Sequence, residues 1–166
     1  MKSLGLYAHF PFCPQRCPYC GFAVVTGKDD LHERYATALC NELAACARIA
    51  PAEGLGSVFF GGGTPTRLAP RLLERILSTV GDSLGIAAGA EITVEANPGT
   101  TDAARYADLR QIGFNRISIG AQSFSTKVCG CWVGSTAPRM RWALFGHLGW
   151  PASTTSASIS YSAFLE

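Results

Sequence analysis

A chain of 166 residues with a formal net charge of +2 is one domain or a piece of a larger one, and it carries no basic cluster that would point to nucleic acid. Apolar content of 48% against 16% charged residues suits a globular core, and no apolar run is long enough for an integral membrane segment. Seven cysteines, an odd number, fit a reducing, cytoplasmic setting better than a disulfide framework, and Lys2 is not followed by the long apolar segment of a secretory leader.

Leu4 to Phe10 reads as a buried strand. The run His9-Phe10-Pro11-Phe12-Cys13-Pro14-Gln15-Arg16-Cys17-Pro18-Tyr19-Cys20 follows directly, with its cysteines spaced C-x3-C-x2-C. Thiolates at this spacing can close around one cubane iron–sulfur cluster. Three ligands for four irons leave one iron open to a small molecule. Other readings exist. Cys17 and Cys20 suit half a zinc site, with Cys40, Cys46, Cys129 and Cys131 as further candidates, or a redox pair with Cys13 left over.

Leu31 to Ile49 reads as a helix, because Leu31, Tyr35, Leu39, Leu43 and Cys46 recur at helical spacing with Asp30 as N-cap. That spacing does not put Cys40 and Cys46 on one face. Ser57 to Phe60 is a short apolar strand. Pro70 suits the first turn of a helix carrying Leu72, Leu73, Ile76, Leu77 and Val80. Glu91 to Glu95 is a third strand. Thr101 can cap a helix from Asp102 to Ile112, with Gly113 as its stop. Arg116 to Gly120 is a fourth strand.

Strand–helix alternation implies an α/β fold with a parallel sheet. The unusual residues all follow strands: the cysteine loop, Gly61-Gly62-Gly63-Thr64-Pro65, Glu95-Ala96-Asn97-Pro98, and Gln122-Ser123-Phe124. In a parallel sheet or barrel those ends share one rim, where active sites are built. The glycine run lets backbone approach a ligand closely, or is simply a flexible turn. Glu95 ends an apolar strand, where a carboxylate needs a partner such as a bound ammonium group, unless it is solvated. Gln122 suits a ribose. His9, alternating with Tyr7, is either a satisfied core histidine or a neighbour of a cluster. Tyr19 and Phe22 flank Cys20 and either shield a cluster or simply pack.

Together HFPFCPQRCPYCGF, FFGGGTPT, EITVEANPGT and FNRISIGAQSF resemble the radical S-adenosylmethionine superfamily, and within it the oxygen-independent coproporphyrinogen III oxidase-like group. The resemblance covers residues 4 to 124. It implies a partial (β/α) barrel of about four parallel strands with crossover helices. It implies Cys13, Cys17 and Cys20 on a [4Fe-4S] cluster, with S-adenosyl-L-methionine chelating the open iron and cleaved to a 5′-deoxyadenosyl radical. Gly62, Gly63 and Thr64 then line the methionine end, Glu95 meets its amino group or ribose side, and Gln122 binds the ribose, with Tyr7 beside them. The decarboxylating branch carries a further cysteine two residues after the third ligand. Phe22 stands there, which resembles the heme-chaperone (HemW-like) branch, whose members bind heme and pass it to respiratory proteins. That branch usually has aspartate where Gly21 stands. His9 matches the family's histidine before the cluster, and His9, Tyr19 and Phe22 are candidates for surrounding the cluster or heme.

After Thr126 the character changes. All three tryptophans, Trp132, Trp142 and Trp150, lie there, Glu166 is the only acid, and no helical or strand period persists. When the last base of each codon is joined to the first two of the next, Cys131 into Trp132 must read Leu, Trp132 into Val133 and Trp142 into Ala143 must read Gly, and Trp150 into Pro151 must read Ala; with allowed codons elsewhere the tail can spell VLGRQH and LAGFDNISLDLIFGIPG, which the resembled family has next. The chain therefore divides into 1–126, part of the radical core, and 127–166, a tail read as frameshifted near Lys127 to Cys129, irregular and poorly ordered. The resemblance then implies an incomplete, inactive or unstable barrel, with its fourth strand an unprotected edge.

Overall fold

The computed structural model describes residues 4–18, 20–50, 53–97, 102–120 and 160–164, the last as backbone only. Strand β1, Gly5–Phe10, puts Ala8 and Phe10 on one face, both buried, and Tyr7 and His9 on the other. Two short strands follow, β2 at Phe12–Cys13 and β3 at Val25–Thr26, paired parallel to each other. Helix α1 spans His32–Ala45, β4 spans Leu55–Gly62, α2 spans Pro70–Leu84, β5 spans Ile86–Ala96, α3 spans Ala103–Ile112 and β6 spans Arg116–Gly120.

The strands β1, β4, β5 and β6 lie side by side in that order, all parallel. This is the expected α/β arrangement. The helix between each pair of neighbours covers one face of the sheet. Phe10, Val58, Phe60, Val94, Ile117 and Ile119 from the strands are buried against Leu73, Ile76 and Val80 of α2 and Leu109 of α3. The rings of Phe10 and Phe114 flank Phe60 at centroid distances of 5.0 and 5.2 Å. Each such side chain contributes about 1.5–3 kcal/mol when buried. The opposite face carries Tyr7, Phe59, Glu91, Thr93, Glu95 and Ser118.

The expected elements form, but β4 runs two residues beyond Ser57–Phe60 at each end, the helix expected to reach Ile49 ends at Ala45 and continues as a 3-10 turn over Cys46–Ile49, and four further differences stand out. First, Asp30 does not cap α1. Asp29–Leu31 makes a 3-10 turn before it, no side chain caps either element, and Leu31 is 37% exposed rather than on the buried stripe. Asp29 is drawn instead to Arg67 and lies 3.4 Å from His32 Nε2. Second, α3 is capped by Asp102, whose Oδ1 accepts the Arg105 N–H at 2.8 Å, while Thr101 lies outside the described residues. Gly113 does stop α3, at φ 117°.

Third, β5 begins at Ile86, five residues before the expected start, because the segment before Glu91 still pairs with β4 past an irregularity at Leu55/Ser57. Fourth, within the tail read as irregular, the backbone of Ser160–Phe164 forms β7, antiparallel to β6. The β6 edge, expected to stand unprotected, is therefore paired. No helix among the described residues is long and apolar enough to cross a membrane.

Candidate functional site

The C-terminal ends of β1 and β4 are zipped together beyond their ladder. The Gly63 N–H donates to the Phe10 carbonyl at 2.7 Å and the Thr64 N–H to the Phe12 carbonyl at 2.8 Å. This lays the glycine run along the start of the cysteine loop. Cys13 Sγ stands 3.7 Å from Thr64 Oγ1. A Cβ on Gly63 would fall 2.7 Å from the Phe12 carbonyl oxygen and 3.0 Å from Cys13 Sγ, so only glycine lets that sulfur and the two backbones come together here.

The loop itself closes at its foot, where the Val25 N–H donates to the Pro11 carbonyl at 2.7 Å. Its last two cysteines sit on one turn, with the Cys20 N–H donating to the Cys17 carbonyl at 3.0 Å. All three thiols are free and half-buried. Burial pushes the Cys13 thiol above its ordinary pKa, the Thr64 hydroxyl opposes this, and the charges of Cys20 and Cys17 push it further up. Cys13 thus feels the charge of the other two thiols.

Among the described residues no three His, Cys, Asp or Glu side chains converge about a single ion. A cubane asks for something else, since each thiolate takes its own iron and the sulfurs stand around the cluster. Cys40 and Cys46, the candidates for a second zinc pair, pack beside the core on α1 and the turn after it. Cys129 and Cys131 lie outside the described residues, as do Tyr19 and Gln122.

Glu95, at the end of β5, reaches across to β4, where its Oε2 accepts the Gly62 N–H at 2.9 Å. Burial raises the Glu95 carboxyl above the usual glutamate range, and the Gly62 N–H and the His9 ring hold it down only in part. No lysine or arginine among the described residues pairs with it. A half-buried carboxylate in that state suits an incoming ammonium group.

His9 lies beneath Gly62 and makes contacts at both ring nitrogens: Nε2 is 3.0 Å from the Ala23 carbonyl and Nδ1 is 3.3 Å from the Tyr7 hydroxyl. Tyr7 stacks on Phe59 at 5.8 Å, yet its side chain stays 56% exposed on the open face of the sheet. Its phenol is pushed up by burial and then by the Glu95 charge. Phe22 is 58% exposed beside the loop. The structure thus brings Cys13, Gly62, Gly63, Thr64, Glu95, His9 and Tyr7 to one rim.

Two arginines absent from the sequence reading brace that rim. Arg105 of α3 donates to the Leu68 carbonyl and, at 2.7 Å, to the Thr66 carbonyl, just past the glycine run. Arg67, in the 3-10 turn Pro65–Arg67, pairs with Asp29 below the cysteine loop. Their partners are distant in sequence and mostly backbone, so no local pattern announces them.

Comparison with known proteins shows the family and the fold. The heme chaperone HemW of Escherichia coli (strain K12) is 45% identical over 126 residues, covering 75% of this chain and 33% of that protein. The oxygen-independent coproporphyrinogen III oxidase of Cereibacter sphaeroides is 40% identical over 124 residues, covering 74% of this chain and 28% of that protein. The solved structure of Escherichia coli coproporphyrinogen III oxidase (HemN), described as a radical SAM enzyme, superposes with a TM-score of 0.79 at 30% identity, over 87% of this chain and 34% of that one. The chain spans about a third of the length of the relatives it matches. Its four parallel strands and crossover helices match part of a radical SAM barrel of the HemN kind. A model of the Radical SAM superfamily matches residues 7–143, and the chain belongs to that superfamily.

Proposed function

We propose that residues 1–126 are the cluster- and cofactor-binding part of a heme-chaperone-like radical SAM protein. Cys13, Cys17 and Cys20 hold a [4Fe-4S] cluster in this reading. Gly62, Gly63 and Thr64 line the methionine end of S-adenosylmethionine, Glu95 receives its amino group, Tyr7 stands alongside, and Gln122 takes the ribose. When bound and reduced, the cluster supplies the electron that cleaves the sulfonium to a 5′-deoxyadenosyl radical. The chain's own part is to present backbone without side-chain bulk at Gly62 and Gly63, to neutralise an ammonium group at Glu95, and to keep the Cys13 sulfur partly out of water. The observation that carries this reading is the zip of Gly63 and Thr64 onto Phe10 and Phe12, which sets Cys13 against the glycine run with Glu95 bonded to the same run.

Heme is the cargo this reading assigns, with respiratory proteins as acceptors, a cytoplasmic setting for this chain, and His9, Tyr19 and Phe22 around the cluster or heme. Phe22 in place of a further cysteine favours the chaperone over the second reading, oxidation of a coproporphyrinogen in porphyrin biosynthesis. Anaerobic reconstitution of the 166-residue chain with iron and sulfide tests both. A brown protein with about four irons per chain and an electron paramagnetic resonance signal altered by S-adenosylmethionine is the expected result, with hemin binding expected of the chain whose reading frame has been restored. Zinc uptake without iron would overturn the cluster, and a frame-restored, iron-loaded protein indifferent to hemin would overturn the chaperone.

The segment 127–166 is proposed to be read in a displaced frame, which leaves the chain inactive. DNA spanning Lys127 to Glu166 should encode the family-like strings in the neighbouring frame. Their absence from both other frames defeats this part of the proposal.

A further inference from the structure

The cysteine loop must be fixed at both limbs if its thiols are to face one point. Backbone bonds fix the outgoing limb, since Phe10 and Phe12 carry Gly63 and Thr64. The return limb leaves Cys20 and runs through Gly21 and Ala23 to its anchor at Val25. His9 reaches it between those points, with Nε2 3.0 Å from the Ala23 carbonyl. A carbonyl oxygen only accepts, so Nε2 must carry a proton. The Tyr7 hydroxyl, 3.3 Å from Nδ1, holds the other side of the ring. The ring has room there because residue 62 is glycine: a Cβ would sit 2.5 Å from His9 Cε1.

We propose that His9 is the positioning residue for Cys20, pinning the return limb at Ala23 through its Nε2–H and so fixing the third thiol relative to Cys13 and Gly63. Its functional meaning rests on Cys20 being a cluster ligand, but the clamp exists without iron and is testable without it. The sequence left His9 open between a satisfied core histidine and a neighbour of the cluster. The clamp gives each nitrogen a partner on the open face of the sheet, outside the core, and one of those partners is the cysteine loop.

The test is alkylation of the apo, anaerobic 166-residue chain with iodoacetamide, followed cysteine by cysteine by mass spectrometry. His9→Phe keeps a ring but no donor, and Cys20 should react on the order of three- to tenfold faster than in the wild type. His9→Gln places an N–H near the site of Nε2 and should restore the slow rate. Cys40 and Cys46, beside the core, should not change in either variant. An unchanged Cys20 rate in His9→Phe, or a Gln variant as fast as the Phe variant, overturns the clamp. If Cys40 also opens, the Phe variant has unfolded, and the imidazole nitrogens of the wild type decide by long-range proton–nitrogen correlation. A His9 proton on Nε2 sustains the proposal and a ring protonated on Nδ1 alone ends it. Failure of the wild type to take up iron would count against the cluster and leave these thiol results standing.

Discussion

The Glu95 carboxylate accepts the Gly62 N–H at 2.9 Å, tying the end of β5 to the glycine run that ends β4. Burial raises its pKa, so the folded chain holds the Glu95 proton more tightly than the unfolded chain does. The sign follows by linkage. This group's contribution to stability is whole below its unfolded pKa and is lost as pH rises through the higher folded value. Glu95→Gln keeps an acceptor for Gly62 and removes the charge. The variant should melt at the same temperature as the wild type or about 2–4 °C higher at pH 7, and it should lose the decline above mild acid. S-adenosylmethionine affinity of the reconstituted chain should fall about tenfold or more, because a charge-assisted bond is lost. Calorimetry across pH and a binding titration check the two signs; a variant less stable at pH 7 with binding intact would assign Glu95 a merely structural role.

Gly63 and Gly21 make a matched pair of glycines. A methyl on Gly63 would sit 2.7 and 2.8 Å from two backbone carbonyl oxygens and 3.0 Å from Cys13 Sγ, whereas one on Gly21 meets nothing within 4 Å. Backbone cannot give way as a flexible side chain can. Gly63→Ala should cost about 1–3 kcal/mol in denaturant unfolding and impair iron uptake. Gly21→Ala should lie within about 0.5 kcal/mol of the wild type. Equal stabilities would mean that the zip between the two loops is absent in solution.

Thr64 is 4% exposed and its hydroxyl is the near neighbour that holds the Cys13 pKa down. Thr64→Val keeps the volume and loses the hydroxyl. The Cys13 thiol should then move further up, and its alkylation near pH 8 should slow about threefold, with Thr64→Ser close to the wild type. A Cys13 rate that rises in the valine variant would show that access, not ionisation, governs this sulfur.

Much of this arrangement was legible in the sequence. β6 matched residue for residue, and Pro70 at the start of α2 was read from its fixed φ and missing N–H. The cysteine spacing and the glycine run were visible because their meaning is local. Three features were hidden for a common reason. Asp29 pairs with Arg67 across 38 positions, a contact no local pattern carries. The His9–Ala23 contact joins a strand to a loop backbone, and a carbonyl leaves no mark in a sequence. β7 lies in a segment without periodicity, where pairing with β6 supplies the order that side-chain pattern does not.

Arg105 shows how far such hidden contacts reach. It stands in the first turn of α3, after β5, yet its guanidinium donates to the Thr66 and Leu68 carbonyls, after β4. It therefore links two neighbouring strand–helix units just beyond the glycine run. Arg105→Met keeps much of the aliphatic stem and leaves two carbonyls without their donor. Losing charged hydrogen bonds of this kind costs about 1.5–3 kcal/mol. The loss should be local: amide hydrogen exchange at Arg67 and Leu68, whose N–H groups bond to the Thr64 and Pro65 carbonyls, should quicken by tenfold or more. Amides in the middle of β4 should change only by the global loss of stability. Because Thr64 begins the same turn, the variant should also weaken iron uptake without touching a ligand. Uniform acceleration at every amide would mean that Arg105 supports the fold as a whole and not the loop it holds.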